Sequence, residues 1–420
     1  MIKFSKFHIL TFLPFFSHTV LQSYGLTILR SYGLIYITVL FFLSSCIEPF
    51  EPIGVKDSAG ILVVEGIIVE QGTTIKLSRT VRLNEKLYDA SRPNLTKVDN
   101  AVIHIIDEAN NVIATAVPQI INEVLTPGTY VINEPITFTP GMKYALDMIV
   151  DKTYYRSAFV SPVLTPEIDE VSWTLNDDKI IDIMVSTHDP TNEIKYYRWA
   201  FEEDWEVRAP LFATRRYDPQ SRLIIEQNIN TPNNRYYCWG SAVSKSILLS
   251  TTDRLTESVI KNKIIHRISA SDRRFSYLYT ILVKQYGLDK EAYTYFENVR
   301  RNAENGGSIF GIQPTEIKGN IQCVSYPHIN VIGYVAIAKE TISRIYINST
   351  GLYIPESDCN SDRFETMATH EISTLYDYGW GIFQYDYNNN VYLGISRKCV
   401  DCTELGGTKN KPVFWPNDHQ

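Results

Sequence analysis

Ile61-Leu62-Val63-Val64-Glu65-Gly66-Ile67-Ile68-Val69 is the stretch that decides the fold. Side chains branched at Cβ are stiff in a helix and pack well on a pleated surface, so this run predicts a strand. Gln71-Gly72 turns the chain into residues 73–80 (TTIKLSRT), whose alternation marks the antiparallel partner. Working outward, residues 101–107 (AVIHIID) give a third strand closed by the turn Glu108-Ala109-Asn110-Asn111. Residues 128–132 and 143–150 add two more, and Asp151-Lys152 turns the chain into Tyr154-Tyr155-Arg156-Ser157. Short strands at this spacing predict a β-sandwich over residues 59–162.

Ser161-Pro162-Val163-Leu164-Thr165-Pro166 reads as a stiff linker to a larger antiparallel β domain over 166–420. Its expected strands begin with 168–175 and 179–187, across the turn Asn176-Asp177-Asp178, and continue with 196–207. Residues 222–229 and 246–250 are short candidates, and 266–269 with 276–285 read as a hairpin. One helix is expected at about 289–305. Asp289 is its N-cap, Tyr293, Phe296, Val299 and Ala303 recur at helical spacing, and Gly306-Gly307 end it. Its apolar stripe is expected to pack on a sheet. Residues 317–324 and 331–338 read as a β pair, 344–347 as a further strand, and 383–396 as two strands around Asn388-Asn389-Asn390.

Leu43-Ser44-Ser45-Cys46 closes an apolar segment and is followed at once by the proline-broken run Ile47-Glu48-Pro49-Phe50-Glu51-Pro52. An apolar core ending in small residues and a cysteine is the anatomy of a lipoprotein signal peptide. Residues 1–45 are therefore expected to be removed, Cys46 to carry acyl chains, and 46–58 to act as a tether. Two or three acyl chains hold a protein at a membrane where one would not. Ser17, His18, Gln22, Ser23 and Arg30 interrupt the leader, so it offers no unbroken apolar span of about 20 residues.

Without residues 1–45, 37 basic residues stand against 47 acidic ones, a formal charge of −10. That balance argues against nucleic acid or an anionic lipid surface as partner, because both need a basic face. The 27 tyrosines, 18 phenylalanines and 6 tryptophans fit a β-protein core, and some of them fit sugar or peptide stacking. Tyr196, Tyr197, Trp199 and Trp205 are the candidate binding aromatics.

Five cysteines follow Cys46. Cys399-x-x-Cys402 lacks the second pair of ligands that a structural zinc site needs, and an all-β setting does not suit a thioredoxin-like redox role. Disulfides persist in an export compartment. Cys238, Cys359, Cys399 and Cys402 are the candidates for two bridges with pairing open, and Cys323, in a strand, is the one left over.

The run Cys399-Val400-Asp401-Cys402, Gly406-Gly407-Thr408 and Lys411-Pro412-Val413-Phe414-Trp415 resembles the closing signature of a Bacteroidota lipoprotein family, domain of unknown function 4249. Matching runs precede it in order. They are Leu62-Val63-Val64-Glu65-Gly66, Lys76-Leu77-Ser78-Arg79-Thr80, Tyr197-Arg198-Trp199, Arg208-Ala209-Pro210, Cys238-Trp239, Val283-Lys284-Gln285-Tyr286, Glu291-Ala292-Tyr293 and Lys318-Gly319-Asn320-Ile321. The resemblance implies an outer-membrane lipoprotein whose N-terminal domain is an immunoglobulin-like or carboxypeptidase-regulatory-like sandwich. It also implies a gene often found beside SusC-like TonB-dependent transporters. The family defines no catalytic residues, so none carries over.

Chemical motifs are sparse. His370-Glu371 lacks the second histidine of a zincin helix, and neither a nucleophile elbow nor a Walker loop is present. Glu202-Glu203-Asp204 and Asp177-Asp178 suit glycoside hydrolysis only if folding brings two carboxylates to a hydrolase separation; otherwise such runs are solvated turns. Asp386-Tyr387-Asn388-Asn389-Asn390 has oxygen ligands suited to calcium but reads more simply as a hairpin loop. The expected function is a non-enzymatic outer-membrane lipoprotein, without cofactor or metal. Its acyl chains on Cys46 sit in the membrane, with the cell-surface face favoured. It would serve as an accessory or glycan- or peptide-binding partner of a TonB-dependent transporter. A surface hydrolase and an adhesion or envelope-assembly protein are the alternatives.

Overall fold

Strand β1 (Leu62–Glu65) and the two-residue β2 (Ile67–Ile68) divide the apolar stretch at Gly66. A side chain at Gly66 would collide with the Thr74 carbonyl, so only glycine lets β3 (Thr73–Arg79) cross there. β4 (Val102–Asp107), β5 (Val112–Ile121), β6 (Val124–Ile132), β7 (Tyr144–Val150) and β8 (Thr153–Ser157) follow. The computed structural model describes residues 60–80, 96–121, 123–231, 234–305, 317–350, 352, 357–359 and 365–416. The leader, Cys46, the tether and the Gly306-Gly307 helix stop lie outside these residues. No helix among the described residues is long and apolar enough to cross a membrane.

β9 (Ile168–Leu175), β10 (Ile180–His188), the thirteen-residue β11 (Tyr196–Arg208), β12 (Arg215–Asp218), β13 (Leu223–Glu226), β14 (Tyr237–Val243), β15 (Leu248–Thr251), β16 (Val259–Ser269) and β17 (Leu278–Leu288) lead to helix α1 (Lys290–Asn305). The Asp289 carboxylate accepts the Ala292 N–H at 2.6 Å, which caps the helix as expected. Its packed face is Ala292, Tyr295, Phe296 and Val299, whereas Ala303 is exposed. The chain closes with β18 (Ile321–Cys323), β19 (Val331–Gly333), β20 (Ala336–Ile337), β21 (Glu340–Asn348), β22 (Glu365–Met367), the short helix α2 (Ile372–Asp377), β23 (Trp380–Asp386) and β24 (Val391–Ser396). The protein is mainly β, with a sandwich followed by a larger antiparallel part that carries α1.

The first sheet runs β18-β8-β7-β4-β5-β6-β3-β1-β19. Residues 112–116 of β5 pair with β4, and residues 117–121 pair with β6, so β5 passes from one layer to the other. Leu62, Ile75, Leu77 and Tyr130 of one layer share a core with Ile103, Ile105, Leu146 and Met148 of the other. Strands from far along the chain complete this sheet and form a second, two-stranded one beside it. β19 lies parallel to β1 with Leu62 opposite Val331, β18 pairs with β8, and β20 pairs with β2. Residues 317–324 and 331–338 therefore do not pair with each other. Each finds a free sheet edge in the N-terminal part, because an unpaired edge leaves its backbone groups without partners. The linker is tied into the same union, with Val163 N donating to the Ile337 carbonyl at 2.9 Å.

A second sandwich faces the sheet β16-β10-β9 against the sheet β14-β11-β17-β21, which β15 also joins through β11. β16 and β17 sit in different layers and form no hairpin. A 3-10 turn at Arg273–Phe275 carries the chain across between them. A chain ending at residue 162 should lack a cooperative urea transition followed by circular dichroism, since it loses the partners of β1, β2 and β8. A cooperative transition from that fragment would show that the borrowed strands are dispensable.

Candidate functional site

β11 organises the site because its two faces meet different surroundings. Tyr197, Trp199, Phe201 and Glu203 point between the sheets, and Trp205 follows them at the end of the core. Tyr197 and Trp199 are fully buried, which removes them as binding aromatics. The Tyr197 hydroxyl donates to the Ile194 carbonyl at 3.0 Å, and the Trp199 indole N–H donates to Gln285 Oε1 at 2.9 Å. The alternation of β11 carried this information, since odd positions face inward. Tyr196 lies on the other face against Tyr293 of α1, with ring centroids 5.0 Å apart. Trp205 borders a cleft.

Glu203 is buried at 4% exposure within the core, not in a solvated turn. Its Oε1 accepts from the Tyr279 hydroxyl at 2.6 Å, Arg274 Nη1 at 2.8 Å and His266 Nε2 at 3.1 Å. Burial pushes this carboxyl up, but the hydrogen bonds from His266 and Tyr279 and the charges of His266 and Arg274 outweigh it. The group lies below the usual glutamate range. Glu202 pairs instead with Lys284 at 2.5 Å, and Asp204 with Arg344 at 3.6 Å, both on the opposite face from Glu203. The acidic run thus divides among three separate cations. Asp177 and Asp178 are exposed in the β9–β10 turn. Asp386 is spent on its own hairpin loop, accepting from Asn388 N at 2.9 Å and Asn389 Nδ2 at 2.7 Å.

Beyond Glu203, β11 ends at a cleft of about 410 Å³ whose walls include Trp205, Arg208, Arg273, Tyr277, Ser357 and Leu405. The Arg208 guanidinium lies 4.3 Å over the Tyr277 ring and 5.1 Å over Tyr237, and its Nε pairs with the buried Glu206. An aromatic wall with fixed positive charge suits a ring bearing an acidic or polar substituent. The volume falls in the range of small-ligand sites, roughly 300–1,000 Å³.

Both disulfides stand behind this cleft. Cys238–Cys402 ties β14 to the 3-10 turn Cys402–Leu405, placing Leu405 in the wall. Cys359–Cys399 ties the segment containing Ser357 to the 3-10 turn Arg397–Cys399. Trp239 and Thr408 exchange backbone hydrogen bonds at 2.9 and 2.8 Å, which adds the tail to β14. Cys323 is free and buried in β18. All four bridging cysteines were legible as candidates, while their pairing depended on how the tail returns to β14.

Residues 47–344 match the model of the family described as domain of unknown function (DUF4249). The chain belongs to this family. The DUF4249 match covers both sandwiches and ends within β21, so the Cys399–Trp415 signature lies outside it. That tail is nevertheless joined to the matched region by the Cys238–Cys402 bond. A search of curated proteins finds no match.

Two measurements check this description. Glu203→Gln should cost about 2 kcal/mol at pH 7 by weakening the charge-assisted hydrogen bonds from Arg274, Tyr279 and His266, although Arg274 keeps Asp272 at 3.0 Å. A carboxyl with a depressed folded pKa contributes its stability above the unfolded value, about 4.3, and loses it as pH falls through the folded value. The gap between variant and parent in urea melts should therefore close below about pH 4. Separately, Cys238→Ser with Cys402→Ser opens a 164-residue loop and should lower stability by up to about 5 kcal/mol. Cys359→Ser with Cys399→Ser, a 40-residue separation, should cost about 4 kcal/mol at most by the same measurement.

Proposed function

We propose that this DUF4249 chain is an exported outer-membrane lipoprotein that binds a small glycan or peptide ligand beside a TonB-dependent transporter. The observation that carries this reading is the cleft at the end of β11, whose Leu405 and Ser357 walls are each backed by a disulfide. Disulfide-backed walls fit a protein working outside the reducing cytoplasm. The signal anatomy ending at Cys46 agrees with that compartment. A ligand site fixed by covalent bonds needs little ordering on binding, which favours capture of small solutes.

Anchoring through Cys46 confines the protein to two dimensions. A modest interface with a barrel partner then suffices, because effective concentration replaces tight contact. The dispersal of Glu202, Glu203 and Asp204 to three cations supports binding over hydrolysis by that run. The cleft supports ligand capture over a purely adhesive role.

Cys46→Ser should release the protein from the outer membrane fraction, and mass analysis of the parent should find acyl chains on Cys46. A C-terminal tag should recover a TonB-dependent barrel from gently solubilised membranes. Recovery of the chain alone, from membranes whose known transporter complexes survive, would overturn the transporter part of the reading. On glycan and peptide arrays, Trp205→Ala and Arg208→Ala should each weaken any ligand seen with the parent by tenfold or more, about 1.4 kcal/mol.

A further inference from the structure

The β5–β6 hairpin ends in an apolar tip that nothing in the described fold covers. Ile120, Ile121, Val124 and Leu125 are between 42% and 67% exposed. Ile120 stands opposite Leu125 and Ile121 opposite Val124, so the two pairs lie on opposite faces of the hairpin. A flat protein partner covers one face. A tip that is apolar on both faces fits a surrounding medium. Its two strands pair with each other, while the backbone groups on their outer edges need water or headgroups, which confines the tip to an interfacial depth.

The place of this tip in the fold identifies the medium. β3 aligns Arg79 with Leu62 of β1 and Lys76 with Thr129 of β6, which puts the start of β6 at the same end of the sheet as the start of β1. Arg79 confirms the grouping, since its Nη1 donates to the Gly60 carbonyl and its Nη2 pairs with Asp151 in the β7–β8 turn, both at 2.7 Å. Gly60 is where the described fold begins, fourteen residues after Cys46. Fourteen residues reach about 50 Å at full extension. The outer faces beside the tip continue its character, with Val102 and Ile149 paired across β4 and β7 and 49% and 47% exposed.

We infer that this end of the sandwich rests on the lipid surface, with the β5–β6 tip inserted among the headgroups and upper acyl chains. The inference rests on the lipoprotein reading of Cys46. The acyl chains hold the protein at the membrane, and the hairpin fixes its tilt and height. This end of the sheet carries both signs of charge, Arg79, Lys97 and Lys152 beside Asp99, Asp151 and Glu123, which suits a zwitterionic surface. Residues 115–129 hold one charged side chain, Glu123 at the turn, and the chain without its leader is acidic. A lone carboxylate pairs with a headgroup ammonium such as that of phosphatidylethanolamine and limits insertion to the interface.

The full chain carrying Val124→Cys, labelled with an environment-sensitive dye, tests this in vesicles of phosphatidylethanolamine and phosphatidylcholine. Leu223→Cys, on the separate β12–β13 hairpin and 62% exposed, is the control, and the unsubstituted chain is the labelling blank. The expected result is a blue-shifted emission at position 124 that lipids brominated on their acyl chains quench. Position 223 should behave as in water. A water-like emission at 124 in the vesicle-bound protein would overturn the inference. A blue shift already present without vesicles and insensitive to brominated lipid would overturn it too, placing a second copy of the chain on the tip. The mass of the Cys46 peptide reports the anchor separately. Acyl chains with a wet tip defeat the hairpin alone, whereas a quenched tip without acyl chains defeats the anchor alone.

Discussion

The side-chain amide of Gln285 is the joint on which the assembly of this protein depends. It is fully buried, accepts the Trp199 indole N–H, and donates to the Pro166 carbonyl at 2.9 Å and the Thr187 hydroxyl at 3.0 Å. One group thereby fixes β11 on β17, the facing strand β10, and the end of the segment that leaves the first sandwich. A buried amide with all three partners in place stabilises by only a little more than it costs to desolvate, but a missing partner is expensive. The arrangement therefore selects one register of the two sheets more than it adds stability. Thr165 reinforces it by accepting the Gly287 N–H at 2.8 Å, and Thr341 by donating to the same Pro166 carbonyl at 3.1 Å.

What was legible in the sequence follows from range. Strands with clean alternation, such as 168–175 and 73–80, and the capped helix are dictated within a few residues. β5 escaped notice because Pro118 and the exposed Ile120 and Ile121 break the pattern of a one-sided strand. The hairpin expected from 266–269 and 276–285 failed because neighbouring strands can just as well face each other across a core, and no local signal separates the two outcomes. The same holds for 317–338, where the partners lie more than 150 residues upstream.

The candidate site divides in the same way. The four bridging cysteines and Trp205 were visible as residue types. Arg208 appeared only as part of the family resemblance, and Tyr277 and Ser357 carried no signal at all. Glu203 was visible as one acid among three, yet the period of two along β11 already set it inward and its neighbours outward. Its partners Arg274, Tyr279 and His266 come from a turn and two strands that only the folded topology gathers.

The parallel pairing of β1 with β19 bears on how the molecule is born. Leu62 enters the fold at its beginning but meets Val331 only after most of the chain has been made. Contacts so far apart in sequence are slow to form, and the partial sandwich exposes a hydrogen-bonding edge beside apolar strands while it waits. A chain made from its N-terminus spends that interval unfinished. The first sandwich cannot close until residues 321–337 have been made, so it depends on being shielded over that interval.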